Sequence, residues 1–214
     1  MNLSYFSSFY SSILQIKIIF LQKTQSHPMK TMYKIDMCSQ NKAHIAKNET
    51  LTTVCYGFTH SPFGDCLIAA VSNRICMLYF TKDKNIALSD LKKKWEHAEI
   101  KENTSFIKEI SKNIFSFTHS PTIPIYVEGT DFQINVWKCL IDVPFGSLIS
   151  YEELAEKVGN KKAVRAVATA VANNPIAFFI PCHRIVRKSG ETGNYRWGKE
   201  LKIQLIAWEK EKSS

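Results

Sequence analysis

The chain has 214 residues, of which 45% are hydrophobic and 12% aromatic, so it is globular and long enough for one large or two small packed domains. Its formal net charge of +9 favours an acidic partner or surface. Its six cysteines form no CxxC pair and follow no regular spacing, so they indicate neither a disulfide framework nor a zinc ribbon.

Unpaired cysteines of this kind predict a reducing, cytoplasmic location. An isolated metal site built from Cys55, Cys66 and His60 is an alternative that the histidine content leaves open. We assign no metal ligand and expect no cofactor.

Residues 1–50 are unassigned and expected to be a flexible extension, or to reflect a translation start placed too early. The apolar stretch from Ile13 to Leu21 is interrupted by Lys17 and lacks a preceding basic region. This pattern disfavours both a signal peptide and a membrane span.

Residues 51–128 have the pattern of an α/β domain. Three short β-prone runs, "TVCYGF", "CLIAAV" and "ICMLYF", are separated by turn-rich segments and predict an antiparallel meander. Helical spacing follows in "LSDLKKKWEHA" and "FIKEISKNIFSF", and "IPIYV" could return to the sheet. The predicted first domain is therefore a small antiparallel sheet with helices.

Residues 129–214 are predicted to form a second, mostly helical domain. Thr130 with Gln133, and Ser150 with Glu153, have the spacing of capping boxes at helix starts. Gly159 ends the helix of "YEELAEKVG", and "KKAVRAVATAVANN" supplies another helix directly after it. Two short helices joined by a tight turn are typical of a helix-turn-helix.

The second helix of this pair has two different faces. One face carries three valines and is predicted to be buried: Val164, Val167 and Val171. The opposite face carries Lys162, Arg165, Thr169 and Ala172. One arginine among small side chains suits close approach to a minor groove better than base reading in the major groove, so little sequence preference is expected. A surface salt bridge is the alternative role of Arg165.

Cys182 lies between an apolar run and a basic segment, in "FFIPCHRIVRKSGETGNYRWG". Residues 161–202 contain nine Lys or Arg against two acidic residues. His183 and Arg184 could stabilise a thiolate, although consecutive strand residues point to opposite faces. His183 could therefore serve Cys182 only if the chain turns at Pro181 or a water bridges the gap. Packing, metal binding and nucleophilic attack all remain open for Cys182 from these residues alone.

Three motifs together resemble the methylated-DNA-protein-cysteine methyltransferases, also called O6-alkylguanine-DNA alkyltransferases. They are "IPCHRIV", "KKAVRAVATAVANNP" and "GNYRWG", and the similarity continues from Gly129 to Glu209. The resemblance implies a ribonuclease-H-like N-terminal α/β domain, followed by a winged helix-turn-helix-like DNA-binding domain.

The resemblance also implies roles for individual residues. Cys182 is similar to the alkyl-accepting cysteine, His183 to its water-linked base and Glu209 to the carboxylate that orients that base. Tyr151 is similar to the tyrosine that donates a proton to the departing guanine and crowds the 3′ phosphate. Asn174 is similar to the hinge between the recognition helix and the cysteine segment.

For DNA and lesion binding, Arg165 resembles the arginine that fills the base stack when the lesion swings out. Lys162, Thr169 and Ala172 accompany it on the DNA-facing side. The alkyl pocket is implied to be lined by Tyr195, Ile185, Val186 and Val171.

The implied activity is transfer of the methyl group from O6-methylguanine, and from O4-methylthymine, in double-stranded DNA to Cys182. The transfer is direct, stoichiometric and irreversible, because a thioether has no carbonyl for water to attack. We expect a monomer that needs neither membrane nor cofactor.

Other functions remain as alternatives. A non-catalytic module that binds alkylated DNA would have tryptophan in place of Cys182. A transcriptional regulator would carry added domains. A thiol hydrolase would turn over many times. Structural alternatives also exist for two residues, since Glu209 could be a solvated tail residue and Asn174 an ordinary helix stop before Pro175.

Overall fold

The computed structural model describes residues 34–41, 52–115 and 121–213. These residues fall into two compact units. The N-terminal unit contains the described residues up to 135 and the segment 173–180, and the C-terminal unit contains residues 136–172 and those from 181 onward. The segment 173–180 thus belongs to the N-terminal unit although it follows the helix-turn-helix in the chain.

The N-terminal unit is built on a six-stranded sheet with the order β1-β6-β4-β3-β2-β5. The strands are β1 (Lys34–Asn41), β2 (Thr53–Ser61), β3 (Gly64–Val71), β4 (Arg74–Phe80), β5 (Glu99–Glu102) and β6 (Thr122–Gly129). β2, β3 and β4 pair antiparallel, which confirms the predicted meander. The other pairs are parallel, so the sheet is mixed rather than purely antiparallel.

The meander follows from its turns and its apolar strands. Ser72 and Asn73 both have positive φ, +47° and +61°, as a two-residue hairpin turn of type I′ requires. β3 and β4 are buried along almost their whole length, as expected for central strands.

Among the described residues of this unit, two helices accompany the sheet, α1 (Lys84–Lys94) and α2 (Thr104–Ile114), as the spacing predicted. The side chain of Asp83 caps α1 and that of Asn103 caps α2, each by accepting backbone N–H donors.

Strand β1 falls within the part of the chain that the sequence left unassigned. It pairs in parallel with β6 from Lys34 opposite Thr122 to Asn41 opposite Gly129. Asp36 also forms an ion pair of 3.0 Å with Arg74. Residues 34–41 therefore belong to the sheet, and the rest of the expected extension lies outside the described residues.

The C-terminal unit is mostly helical. Its elements are α3 (Asp131–Ile141), whose first turn belongs to the other unit, β7 (Ile149–Ser150), α4 (Tyr151–Lys157), α5 (Val164–Ala172), a 3₁₀ turn (Cys182–Arg184), β8 (Ile185–Val186) and α6 (Lys199–Ser213). Both predicted capping boxes are present. Thr130 and Gln133 exchange bonds of 3.0 and 3.2 Å, and Ser150 and Glu153 form the reciprocal pair.

The predicted helix-turn-helix is formed by α4 and α5. Gly159 has a φ of +91°, the left-handed conformation that ends α4 and that glycine adopts without strain. On α5, Val167 and Val171 are buried and Val164 is half-buried, whereas Arg165, Thr169 and Ala172 are exposed. Among the described residues, no helix is long and apolar enough to cross a membrane.

Candidate active site around Cys182

Cys182 opens a single 3₁₀ turn directly after Pro181 and is only 4% exposed. Cys182 therefore does not lie within a strand, because β8 begins at Ile185 and pairs with β7 over two residues. The chain does turn at Pro181, which removes the constraint that consecutive strand residues point to opposite faces.

A buried ion network joins this turn to α6. His183 Nε2 lies 2.8 Å from Glu209 Oε1, and both side chains are buried. Arg184 donates from Nε to Glu209 Oε2 at 2.9 Å and from Nη2 to Oε1 at 2.9 Å. The backbone N–H of Gly146 donates to Oε2 at 2.9 Å. Glu209 is therefore not a solvated tail residue, and its carboxylate is held by three groups.

The charges in this network determine its protonation. Burial alone would raise the pKa of Glu209, but the adjacent His183 and Arg184 outweigh it and lower that pKa from 4.5 to about 2. Burial lowers the pKa of His183 below its ordinary 6.5, against the opposing effect of Glu209. The imidazole is therefore neutral at pH 7 while the carboxylate is ionised.

The geometry also fixes the tautomer of His183. An ionised carboxylate can only accept a hydrogen bond, so Nε2 must carry the proton that it donates to Glu209. In a neutral ring, the second nitrogen Nδ1 then holds the lone pair. His183 is thus prepared to accept a proton at Nδ1.

Two tyrosines interact with the thiol. Burial, followed by the electrostatic effect of Cys182, raises the pKa of Tyr151, and the same two causes raise the pKa of Tyr195 well above its ordinary value. Tyr195 also packs edge-on against Trp197, with ring centroids 5.1 Å apart. Both hydroxyls therefore stay protonated near pH 7 and can donate hydrogen bonds.

Lys202 is a buried cation that the sequence analysis missed. Only 1% exposed, it donates from Nζ to the carbonyl of Ile185 at 2.6 Å and to that of Thr192. Its Nζ lies 5.9 Å from the centroid of the Tyr195 ring. Burial lowers its pKa to about 8, against an opposing effect of Cys182. Lys202 thereby joins the strand after Cys182 to the loop that carries Tyr195.

Sequence spacing contained a signal for this lysine. Lys202 and Glu209 are seven residues apart, two helical turns, on the apolar face of α6 with Leu205. A lysine and a glutamate on an apolar face indicate buried partners. Arg184 was considered only as a neighbour of the thiol, and its interaction with Glu209 was not predicted.

The remaining predicted residues fall into separate groups. Ile185, Val186 and Val171 are buried in the C-terminal unit, whereas Arg165, Lys162, Thr169 and Ala172 are exposed on or just before α5. Asn174 lies in the N-terminal unit and is fully buried. It donates from Nδ2 to the carbonyl of Ile180 at 2.7 Å and accepts the N–H of Ile176 at 2.9 Å. Asn174 is thus more than a helix stop, since it fixes the loop that leads to Pro181.

The alternative metal site does not form. His60 Nδ1 lies 2.9 Å from Asp65 Oδ1, and burial raises the pKa of the Cys66 thiol to about 12. Within residues 34–41, 52–115 and 121–213, no group of three or more His, Cys, Asp or Glu side chains could hold a metal ion.

Comparison with known proteins assigns both parts of the chain. Residues 131–211 match the family described as the DNA-binding domain of 6-O-methylguanine DNA methyltransferase, and residues 54–114 match its ribonuclease-like domain. These matches confirm the predicted fold, an α/β ribonuclease-like part followed by a helical DNA-binding part.

Individual relatives agree. The methylated-DNA-protein-cysteine methyltransferase of Methanosarcina barkeri is 34% identical over 72% of this chain and 96% of its own length. The bifunctional transcriptional activator and DNA repair enzyme Ada of Escherichia coli is 33% identical over 88% of this chain, which spans only 53% of that relative. The crystal structure of Mycobacterium tuberculosis OGT in complex with DNA is 25% identical, with a TM-score of 0.60 over 75% of this chain and 94% of that one.

Proposed function

Because the chain belongs to the methylated-DNA-protein-cysteine methyltransferase family, we propose that it repairs DNA by transferring the methyl group of O6-methylguanine to its own Cys182. The observation that carries the proposal is the buried network in which burial keeps His183 neutral and Glu209 orients its ring, with the basic nitrogen at Nδ1. Such a network prepares a base beside a thiol, which packing alone would not require.

The chemistry is a displacement at a saturated carbon. Cys182 gives its proton to Nδ1 of His183 through a water, and the thiolate attacks the methyl carbon. The carbon–sulfur bond forms as the bond from carbon to guanine O6 breaks. Tyr151, kept protonated by its raised pKa, donates a proton to the departing guanine and regains one from solvent, while His183 releases the thiol proton to solvent. The product is intact guanine and an S-methylcysteine.

The protein acts once. A thioether offers water no electrophilic centre, so Cys182 is not regenerated. O4-methylthymine reacts by the same displacement, because its methyl group is also on an exocyclic oxygen. Tyr195, Ile185, Val186 and Val171 line the alkyl pocket, and Asn174 fixes the loop that leads to the cysteine.

DNA binding is assigned to α5. The methylated oxygen lies inside the duplex, so the nucleotide must be extruded before attack. Arg165 enters the minor groove and fills the gap, while Lys162, Thr169 and Ala172 approach the backbone. Their exposure supports this assignment. The protein binds as a monomer with little sequence preference, and its six free cysteines are consistent with a reducing cytoplasm.

We further propose that residues 129–214 carry the chemistry and that residues 51–128 form a separate N-terminal domain. The division of the structure near residue 135 supports this arrangement, with strand β1 (residues 34–41) and the segment 173–180 as additions to the N-terminal part.

The test is a titration of the full chain with duplex DNA containing O6-methylguanine. Transfer should stop at one methyl group per protein molecule. Cys182→Ala should transfer none while binding DNA within twofold of the parent, and Cys139→Ala, a half-buried thiol on α3, should behave like the parent. Multiple turnovers would indicate a hydrolase, and transfer by Cys182→Ala would refute the acceptor. Tight binding without transfer by the parent would indicate a lesion-binding module.

A further inference from the structure

The N-terminal unit contains a cleft of about 610 Å³ that the chemistry above does not use. It lies between the end of β2, the start of α1 and one face of α2. Its lining includes four lysines and two aromatic rings: Lys82, Lys84, Lys108, Lys112, Phe58 and Phe115. A volume of this size is within the range of small-molecule sites and accommodates one nucleotide.

The lysines give the cleft a strong positive charge. Lys82 and Lys84 flank the start of α1, and Lys108 and Lys112 are one turn apart on α2. The one carboxylate in the lining belongs to Asp65, whose Oδ1 lies 2.9 Å from Nδ1 of His60. Four cations therefore line a cleft that contains a single carboxylate.

The stability of α1 does not explain why a lysine is placed at its start. Lys84 occupies the first turn of α1, where the helix dipole disfavours a cation and where no acidic residue is present. The side chain of Asp83 already accepts the N–H groups of Asn85 and Ile86, at 2.8 and 3.3 Å. An anion in the cleft would therefore be held by the lysine side chains rather than by the helix end.

The aromatic rings add a second kind of contact. Phe58 is half-buried, and Nζ of Lys84 lies 5.3 Å from the centroid of its ring. Phe115 also lines the cleft and is half-buried directly after α2. The Thr59 hydroxyl donates to the Ser111 hydroxyl at 3.3 Å between β2 and α2. Aromatic faces beside lysines are typical of sites for single-stranded nucleic acid, because the bases stack on the rings while the phosphates pair with the cations.

We propose that this cleft binds a nucleotide unit of single-stranded nucleic acid, with its phosphates on the lysines and its base against Phe58. This proposal goes beyond the alkyl transfer and does not depend on it. A free nucleotide has the same chemistry, and the experiment distinguishes the two sources.

The test uses the full chain and a short 5-iodouracil DNA oligomer. Fluorescence anisotropy measures affinity against salt concentration, and photocrosslinking with peptide mapping locates the contact. Lys108→Gln with Lys112→Gln should weaken binding about tenfold at low salt and lower the slope of log affinity against log salt by about 1.4, because each phosphate contact contributes about 0.7. The matched control is Lys92→Gln with Lys93→Gln, exposed lysines in the last turn of α1 that do not line the cleft.

Crosslinks at Phe58 or Phe115 together with the reduced slope would support the proposal. Equal affinities and slopes for the two double variants, or crosslinks confined to the C-terminal unit, would overturn it. Competition by thymidine monophosphate at equal nucleotide concentration would support the site and identify a free nucleotide as its ligand. Alkyl transfer from free O6-benzylguanine to Cys182 should be unchanged in both double variants. A loss of nucleic-acid binding in the cleft can therefore be distinguished from a loss of alkyl transfer.

Discussion

Replacing Glu209 by glutamine should be among the most damaging changes in the C-terminal unit, although it alters little volume. The carboxylate accepts hydrogen bonds from His183, Arg184 and Gly146. A glutamine offers one oxygen and turns an NH₂ group towards these donors, which leaves the buried Arg184 without its counter-charge.

Two independent estimates give the magnitude. A fall in the pKa of Glu209 from 4.5 to about 2 corresponds to about 3 kcal/mol of stability. Removing one partner of a buried ion pair costs about 3–5 kcal/mol in other proteins. Because the folded pKa is depressed, this contribution is fully present above pH 4.5 and is lost as the pH falls towards 2.

Urea unfolding of Glu209→Gln and of the exposed control Glu211→Gln measures the effect. We expect a loss of about 3 kcal/mol at pH 7 for the first variant, a difference that shrinks as the pH falls below 4.5, and less than about 0.5 kcal/mol for the control. Methyl transfer by Glu209→Gln should also slow, since the tautomer of His183 is no longer fixed. A loss below about 1 kcal/mol with an unchanged transfer rate would refute the role of this network.

Three further changes test other parts of the account. Arg165→Ala should lower repair in duplex DNA at least about tenfold yet leave transfer from free O6-benzylguanine unchanged, and equal losses would contradict a role in extruding the base. Lys202→Met should move the onset of Cys182 reactivity with iodoacetamide to higher pH, because a nearby cation is lost. The control Lys199→Met, which changes an exposed lysine, should leave that onset unchanged. Identical pH profiles for the two variants would show that Lys202 has no electrostatic effect on the thiol. Deleting residues 1–41 should lower the thermal unfolding midpoint by several degrees relative to deleting residues 1–33, because only the first deletion removes β1, and equal midpoints would show that β1 adds no stability.

The sequence was sufficient where the information is local. Capping boxes at Thr130 and Ser150, and the glycine at 159, define helix ends through contacts within a few residues. The meander is equally local, since its strands are joined by short turns. The Cys-His pair was found from its motif, and its environment could be interpreted only through the family resemblance.

Long-range pairing was not predictable in the same way. Strand β1, "KIDMCSQN", is polar enough to be taken for an extension, and its partner β6 lies more than 80 residues later in the chain. The pairing of the segment after Asn174 was equally hard to predict from the sequence. Leu78 donates to the carbonyl of Pro175 and accepts from Ala177, so a stretch that reads as a helix stop adds to the N-terminal unit.

Buried charge was the other difficulty. Lysine, arginine and glutamate are usually exposed, so a sequence reading places Lys202, Arg184 and Glu209 at the surface by default. Their burial depends on partners that are brought together only in the folded chain. The prediction for Glu209 came from the resemblance, and Lys202 had no such support.

The most direct measurement is the intact mass of the full chain after incubation with duplex DNA containing O6-methylguanine, followed by peptide mapping. We predict a gain of about 14 Da, the mass of one CH₂ group, located on Cys182 and saturating at one per molecule. A gain on another residue, or no gain despite salt-sensitive DNA binding, would contradict the claim that Cys182 is the alkyl acceptor.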